Sequence, residues 1–155
     1  MLYLVFHLDQ NRYMLDARQV AEVLPLVEIM DLPQSPPGVA GVFNYRGTLV
    51  PAVDLSQVVL GRPAQRRLHT RIVLVRFPTE SGASRLLGCI VEKVTDTRQL
   101  HDHDFHAPGA STTQPGAVFT DHSGLAQRIE IAQLLPAAVR ALLPEVQPEQ
   151  RAACR

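Results

Sequence analysis

Short apolar runs rich in β-branched and aromatic residues, separated by turn residues, dominate the chain, and few stretches carry a helical period. Strands are predicted over Leu2–Leu8, Tyr13–Asp16, Gly41–Asn44, Thr48–Leu55, Arg71–Phe77, Leu86–Glu92 and Ala117–Thr120. Ala17–Leu24 and Leu55–Leu60 each allow a turn or two of helix, and Pro136–Leu143 reads as a terminal helix with proline at its start. The pattern breaks at 31–38, where Pro33, Pro36 and Pro37 enforce extended backbone, and at the polar, turn-rich stretch 101–116. After Pro144 the chain is polar with few anchors.

The pattern also repeats. Moving the chain by 76 positions lays Phe43 on Phe119, Leu49 on Leu125, Val53 on Ile129, Asp54 on Glu130, Leu55 on Ile131 and Gln57 on Gln133. A shift of 74 lays Val20 and Glu22 on Val94 and Asp96, and Leu4-Val5-Phe6 is answered by Val73-Leu74-Val75 at a shift near 70. These matches predict one domain over 1–136 made of two related β lobes, about 1–68 and 69–136, followed by a helix and tail over 137–155. Small barrels are the economical form for such lobes, because closure removes exposed sheet edges.

Composition narrows the function. With 155 residues and 46% apolar content the chain can fold on one core. Fifteen basic and fifteen acidic residues cancel, so the electrostatic footprint of a general nucleic-acid binder is missing. Cys89 and Cys154 form no disulfide framework and point to a reducing compartment. The opening MLYLVFHLDQ has no basic leader and no apolar run approaches the ~18 residues of a span, so a cytoplasmic protein without direct membrane contact is expected.

Catalytic and cofactor patterns are weak. His101, His103 and His106 with their aspartates suggest a metal site, yet the spacing fits no structural zinc pattern and the loop offers no rigid element, so a solvated loop is expected. No G-x-S-x-G elbow, H-E-x-x-H or Gly-rich phosphate cradle occurs, and no cofactor or catalytic residue is assigned. Asp54 and Glu130 each follow a strand run and are expected to cap helical turns. Arg62, Arg66, Arg67, His69 and Arg71 read as a solvated linker, and Cys89 as a core residue.

Arg46 stands apart. Asn44 and Gly47 are the residues a tight hairpin needs, so Asn44-Tyr45-Arg46-Gly47 is expected to present a rigid, outward guanidinium, a group well suited to anchoring an interface. The alternative role is a surface ion pair. Pro51 lacks an N–H, which implies an edge strand or a bulge there.

Val20-x-Glu22-Val23, Leu32-Pro33 and Gly41-Val42-x-Asn44-x-Arg46-Gly47-x-Leu49-Val50-Pro51-x-Val53-Asp54-Leu55 together resemble the signature of the CheW family of chemotaxis coupling proteins, over about residues 2–136. The resemblance implies an all-β fold: two SH3-like five-stranded β-barrel lobes with short helices and a C-terminal helix. It implies a non-enzymatic adaptor recruited to membrane receptor arrays, joining methyl-accepting chemoreceptor tips to the regulatory domain of a CheA-type histidine kinase. Arg46, Asn44, Val20 and Glu22 match family contact residues, and Val42 and Phe43 are the candidates for the apolar surroundings of Arg46. Two other classes compete: a small β-barrel module for RNA or peptide, and a metal-dependent enzyme using His101, His103 and His106.

Overall fold

The computed structural model describes residues 1–78, 84–106 and 116–135. Among these residues eleven strands run in chain order: β1 Leu2–Leu8, β2 Asn11–Asp16, β3 Val20–Pro25, β4 Val39–Tyr45, β5 Thr48–Asp54, β6 Arg71–Pro78, β7 Ser84–Val91, β8 Lys93–Gln99, β9 Phe105–His106, β10 Val118–Asp121 and β11 Gly124–Arg128. Helices α1 (Leu55–Leu60) and α2 (Ile131–Leu134) follow β5 and β11, and 3₁₀ turns occupy Ala17–Gln19 and Asp102–Asp104.

Two sheets result, in the orders β8-β1-β2-β11-β10-β9 and β3-β6-β7-β5-β4. Apart from the two-residue β9 the orders are the same arrangement used twice. A central hairpin (β1–β2 or β6–β7) takes an antiparallel strand on its first member and a parallel strand on its second. Even the irregularities correspond: the β3–β6 register slips between Val20 and Glu22, and the β1–β8 register slips where Phe6 faces Val94 and Val5 faces Asp96. A bulge at the same place in both sheets adds twist to each lobe.

The sequence echo is therefore structural, since it pairs β1 with β6, β3 with β8, and β4-β5-α1 with β10-β11-α2. In space, however, each sheet draws on both halves of the chain. The β1–β2 hairpin sits among strands that follow residue 92, and β6–β7 sits among strands that precede residue 55.

This interlocking explains why three strands read as unbroken apolar runs. Leu4, Phe6 and Leu8 of β1, Val73 and Val75 of β6, and Leu87, Cys89 and Val91 of β7 all enter one core shared between the lobes. The alternate residues Tyr3 and Val5 face a second cluster with Met14, Phe105 and Ala126, while Ile72, Leu74 and Ile90 face a third with Phe43, Val50 and Ala52. Strands buried on both faces cannot alternate apolar with polar.

Two expectations change. Ala17–Leu24 is not helical beyond Gln19: Asp16 accepts a hydrogen bond from the Arg18 N–H and starts a single 3₁₀ turn, after which Val20 onward pairs with β6. Pro51 lies in β5, which has β4 on one side and β7 on the other, but at Pro51 itself the β7 side is unpaired, so the strand is locally an edge there, as expected. Counting from the Tyr45–Thr48 pair that closes the turn, Val42–Pro51 is a non-hydrogen-bonded pair, so the missing N–H costs the β4 ladder nothing, and pairing with β7 starts only at Ala52. The hydrophilic β8 is an additional strand. The expected helix Pro136–Leu143, the tail and most of the 101–116 stretch lie outside the described residues.

Candidate functional site

The β4–β5 turn is two residues long, Arg46-Gly47, closed by the Tyr45–Thr48 pair. Both central residues have positive φ, 50° and 86°, which is the type I′ geometry that matches strand twist. Glycine adopts it freely, but arginine is strained there at a cost on the order of 1 kcal/mol. Asn44 offsets this from outside the loop: its Oδ1 accepts the Gly47 N–H at 2.8 Å. The asparagine thus stabilises the turn through its side chain and is not one of the two loop residues.

Arg46 projects from this tip with 74% of its side chain exposed. Its Nη2 lies 3.3 Å from Glu22 Oε2, and its guanidinium carbon sits 5.1 Å from the Tyr45 ring centroid. The Tyr45 hydroxyl donates to the same Glu22 oxygen at 2.6 Å, a hydrogen bond that raises the pKa of the tyrosine above its ordinary value. Glu22 belongs to β3 and Tyr45 to β4, the two outer strands of the five-stranded sheet, so one carboxylate ties the sheet's edges together. An exposed ion pair of this kind contributes about 0–1 kcal/mol. Its consequence is orientation: the guanidinium is held at a defined place while most of it stays open to solvent.

The other sheet has the corresponding tie. At a shift of 76 Tyr45 corresponds to Asp121, and at a shift of 74 Glu22 corresponds to Asp96. Arg98 lies between those two aspartates, with Nη2 3.1 Å from Asp121 and Nε 3.3 Å from Asp96. Arg12, reaching over from β2, grips Asp121 with two hydrogen bonds of 2.8 and 2.9 Å. Together with the Ser123 N–H at 2.8 Å, this holds the Asp121 carboxyl down to about 2, the Arg12 hydrogen bond being the chief cause.

A family model described as the CheW-like domain matches residues 2–139. The chain belongs to the CheW-like family. A chemotaxis protein CheW of Klebsiella aerogenes is 25% identical over 149 residues, 93% of this chain and 87% of that protein. One from Rhizobium meliloti is 25% identical over 101 residues, covering 65% of this chain and 62% of the relative. The crystal structure of the scaffolding protein TtCheW from Thermoanaerobacter tengcongensis matches with a TM-score of 0.72 at 22% identity, over 88% of each chain. That match gives the fold: mostly β, in two SH3-like lobes.

Within this CheW-like fold the residues singled out from sequence divide. Glu22, Asn44 and Arg46 come together at the hairpin tip. Val20 is half-buried on β3 against the shared core, and Val42 is half-buried on β4, where its backbone bridges Met30 at 2.8 and 2.9 Å. Phe43 does not surround Arg46: it points inward, is buried, and stacks its ring on Gly88, where a Cβ would come within 2.4 Å of Cε1. Strand alternation puts Val42 and Asn44 on one face of β4 and Phe43 on the other. The apolar residues that do lie exposed on these strands and their flanks include Val23, Val27, Met30, Leu32 and Leu49. Tyr45 is the site residue that sequence reasoning missed; its only signal was an aromatic side chain abutting a tight turn.

The other candidates settle into structural roles. Asp54 caps α1 by accepting the Gln57 N–H at 3.2 Å, as expected. Glu130 does not cap α2 with its side chain, because its Oε1 is taken by the Gln19 amide at 2.8 Å. Cys89 is buried and burial pushes its thiol up to about 12, so it stays protonated and unreactive. The His101 and His103 rings stack at 5.5 Å, and among the described residues no group of three His, Cys, Asp or Glu side chains is placed to hold a metal ion. Nor does any described helix have the length and apolarity to cross a membrane.

Proposed function

We propose that this chain is a non-enzymatic adaptor that couples methyl-accepting chemoreceptors to the regulatory domain of a CheA-type histidine kinase, working in the cytoplasm at membrane receptor arrays. Membership of the CheW-like family supports the adaptor class. The observation that carries the mechanism is the Arg46 guanidinium, 74% exposed on a type I′ turn and steered by Glu22 and Tyr45. A planar donor fork held in place loses little freedom on docking, and neighbouring apolar side chains supply contact area. Val20, Glu22, Val42, Asn44 and Arg46 form the contact strip, with Phe43 supporting it from within. Individual contacts of about 1,200 Å² or less are weak alone and become firm through multivalent assembly.

Arg46→Glu tests this reading. Binding to a purified kinase regulatory domain and to a receptor-tip fragment is expected to weaken by roughly tenfold or more, with thermal unfolding unchanged because the ion pair lost is exposed. Unchanged affinity for both partners would remove Arg46 from the contact, and a collapse of the fold would assign the arginine a structural task.

A further inference from the structure

The segment from Gly61 to Thr70 joins α1 to β6, and the adaptor reading leaves it unused. From Arg62 to Arg71 it holds four arginines and one histidine with no acidic residue, in a chain whose formal charge is zero. Arg62 is paired with Asp9, whereas no carboxylate among the described residues pairs with Arg66 or Arg67. In the midst of these cations stands Leu68, 97% exposed.

A lone exposed leucine is ordinary. This one rides on a braced turn. Thr70, itself buried, donates its hydroxyl to the Gln65 carbonyl at 2.7 Å and accepts the Arg67 N–H at 2.8 Å, while its own N–H reaches the Arg67 carbonyl at 3.1 Å. Arg71 Nη1 donates to the Leu68 carbonyl at 2.7 Å and to the Thr70 carbonyl at 3.0 Å. The near end is pinned where the Ala64 N–H meets Asp54 Oδ2 at 2.9 Å. The residues from Gln65 to His69 between these anchors are all exposed. A turn fixed this firmly in the free protein has already met much of the ordering cost of docking.

We infer that this turn is a second docking surface, for an acidic protein segment that presents an apolar strip bordered by carboxylates, with Leu68 as the apolar knob and Arg66 and Arg67 as the charge-bearing side chains. Such a strip is what an acidic amphipathic helix offers. The lone knob among cations complements it in shape and in sign. The pin at Asp54 sets the surface at the opposite end of β5 from the Arg46 turn, about 20 Å along a strand of seven residues. One chain can thus hold one partner at each end of the same sheet.

The test is an NMR titration of the whole chain with a synthetic helical peptide carrying a valine stripe flanked by glutamates, beside the same peptide with glutamines. Shifts confined to residues 64–71, fading as salt rises and absent with the glutamine peptide, are expected. Leu68→Ser and the pair Arg66→Glu with Arg67→Glu should each weaken binding roughly tenfold while leaving the unfolding temperature in place. Thr70→Val should weaken it with Leu68 and both arginines intact, because the brace is lost. Arg46→Glu should leave the titration unchanged, which separates this surface from the adaptor site. Equal binding of the glutamine peptide, full affinity in Leu68→Ser, or shifts centred on the Arg46 turn would each overturn the proposal. Binding of phosphatidylglycerol vesicles without the peptide would overturn it too, assigning the turn to a lipid surface.

Discussion

At the tip of β4–β5 the sheet's two edges are tied by a hydroxyl and a carboxylate with an exposed arginine alongside; at β10–β11 the same place in the fold holds two aspartates and two arginines. The first tie leaves Arg46 at 74% exposure, whereas in the second the Arg12 and Asp121 side chains are only 9% and 8% exposed. Repetition of a backbone plan fixes where a cross-edge tie can form, and the side chains then decide whether it presents a group to solvent or locks one away. One lobe displays its charge and the other spends it on cohesion.

The comparison breaks most visibly at Asp121. Asp121→Ala strips a largely covered guanidinium of its bidentate partner and is expected to destabilise the fold by about 1.5–3 kcal/mol. Tyr45→Phe, at the corresponding place, removes a single part-buried hydrogen bond and should cost about 1 kcal/mol or less while loosening the orientation of Arg46. Comparable losses from the two variants would show that the ties are not different in kind.

Acid titration sharpens the same contrast. The Asp121 carboxyl sits near 2 in the folded chain against 3.8 for the ordinary group, so the folded state binds its proton less readily. The stability this carboxylate contributes is therefore fully present above pH 4 and is lost as pH falls from about 4 through about 2. Asp121→Asn should lower stability at neutral pH and flatten the acid limb in that window, as followed by unfolding melts across pH. An acid limb identical to that of the parent would move the titration to other carboxylates.

Gly88→Ala comes next. The added Cβ would lie 2.4 and 2.8 Å from Phe43 ring atoms and 3.0 Å from Ile72 Cγ2, inside the core beneath the Arg46 hairpin. Overpacking there is expected to cost about 1–3 kcal/mol. Because Phe43 lies on β4, its displacement should also disturb the contact strip, so partner binding should weaken along with stability. Loss of stability with undiminished binding would separate the core from the strip.

How much of this could be read beforehand depended on how local each cause was. β1 and α1 have the bounds their sequences suggest, since Leu2–Leu8 is an apolar run buried on both faces and Asp54 caps Leu55 from next door. The Arg46-Gly47 turn was legible for the same reason. β8 was not, because an outer strand with its side chains largely in solvent carries no apolar period. β3 followed a sequence that permits a helical turn, and only pairing with β6, more than forty residues on, decided against it. Phe43 was misplaced because alternation gives two faces without saying which is inward. The Tyr45–Glu22 bond, spanning 23 positions, had no local signal at all.

The smallest expected difference separates the two helix starts. Asp54 accepts the Gln57 N–H at 3.2 Å and the Ala64 N–H at 2.9 Å, so Asp54→Ala releases both the cap of α1 and the pin of the following segment, at about 1–2 kcal/mol. Glu130 occupies the same position before α2 but gives its side chain to Gln19 across 111 positions, a single hydrogen bond that is only partly buried. Glu130→Ala should therefore cost about 1 kcal/mol or less, since a net hydrogen bond in a partly solvated place contributes little. Gln19→Ala should reproduce that loss, and the double variant should add nearly nothing to either single one, whereas Gln19→Ala combined with Asp54→Ala should be additive. Additivity between Gln19 and Glu130 instead would mean that the carboxylate acts on the helix start after all, and the two lobes would then begin their helices in the same way.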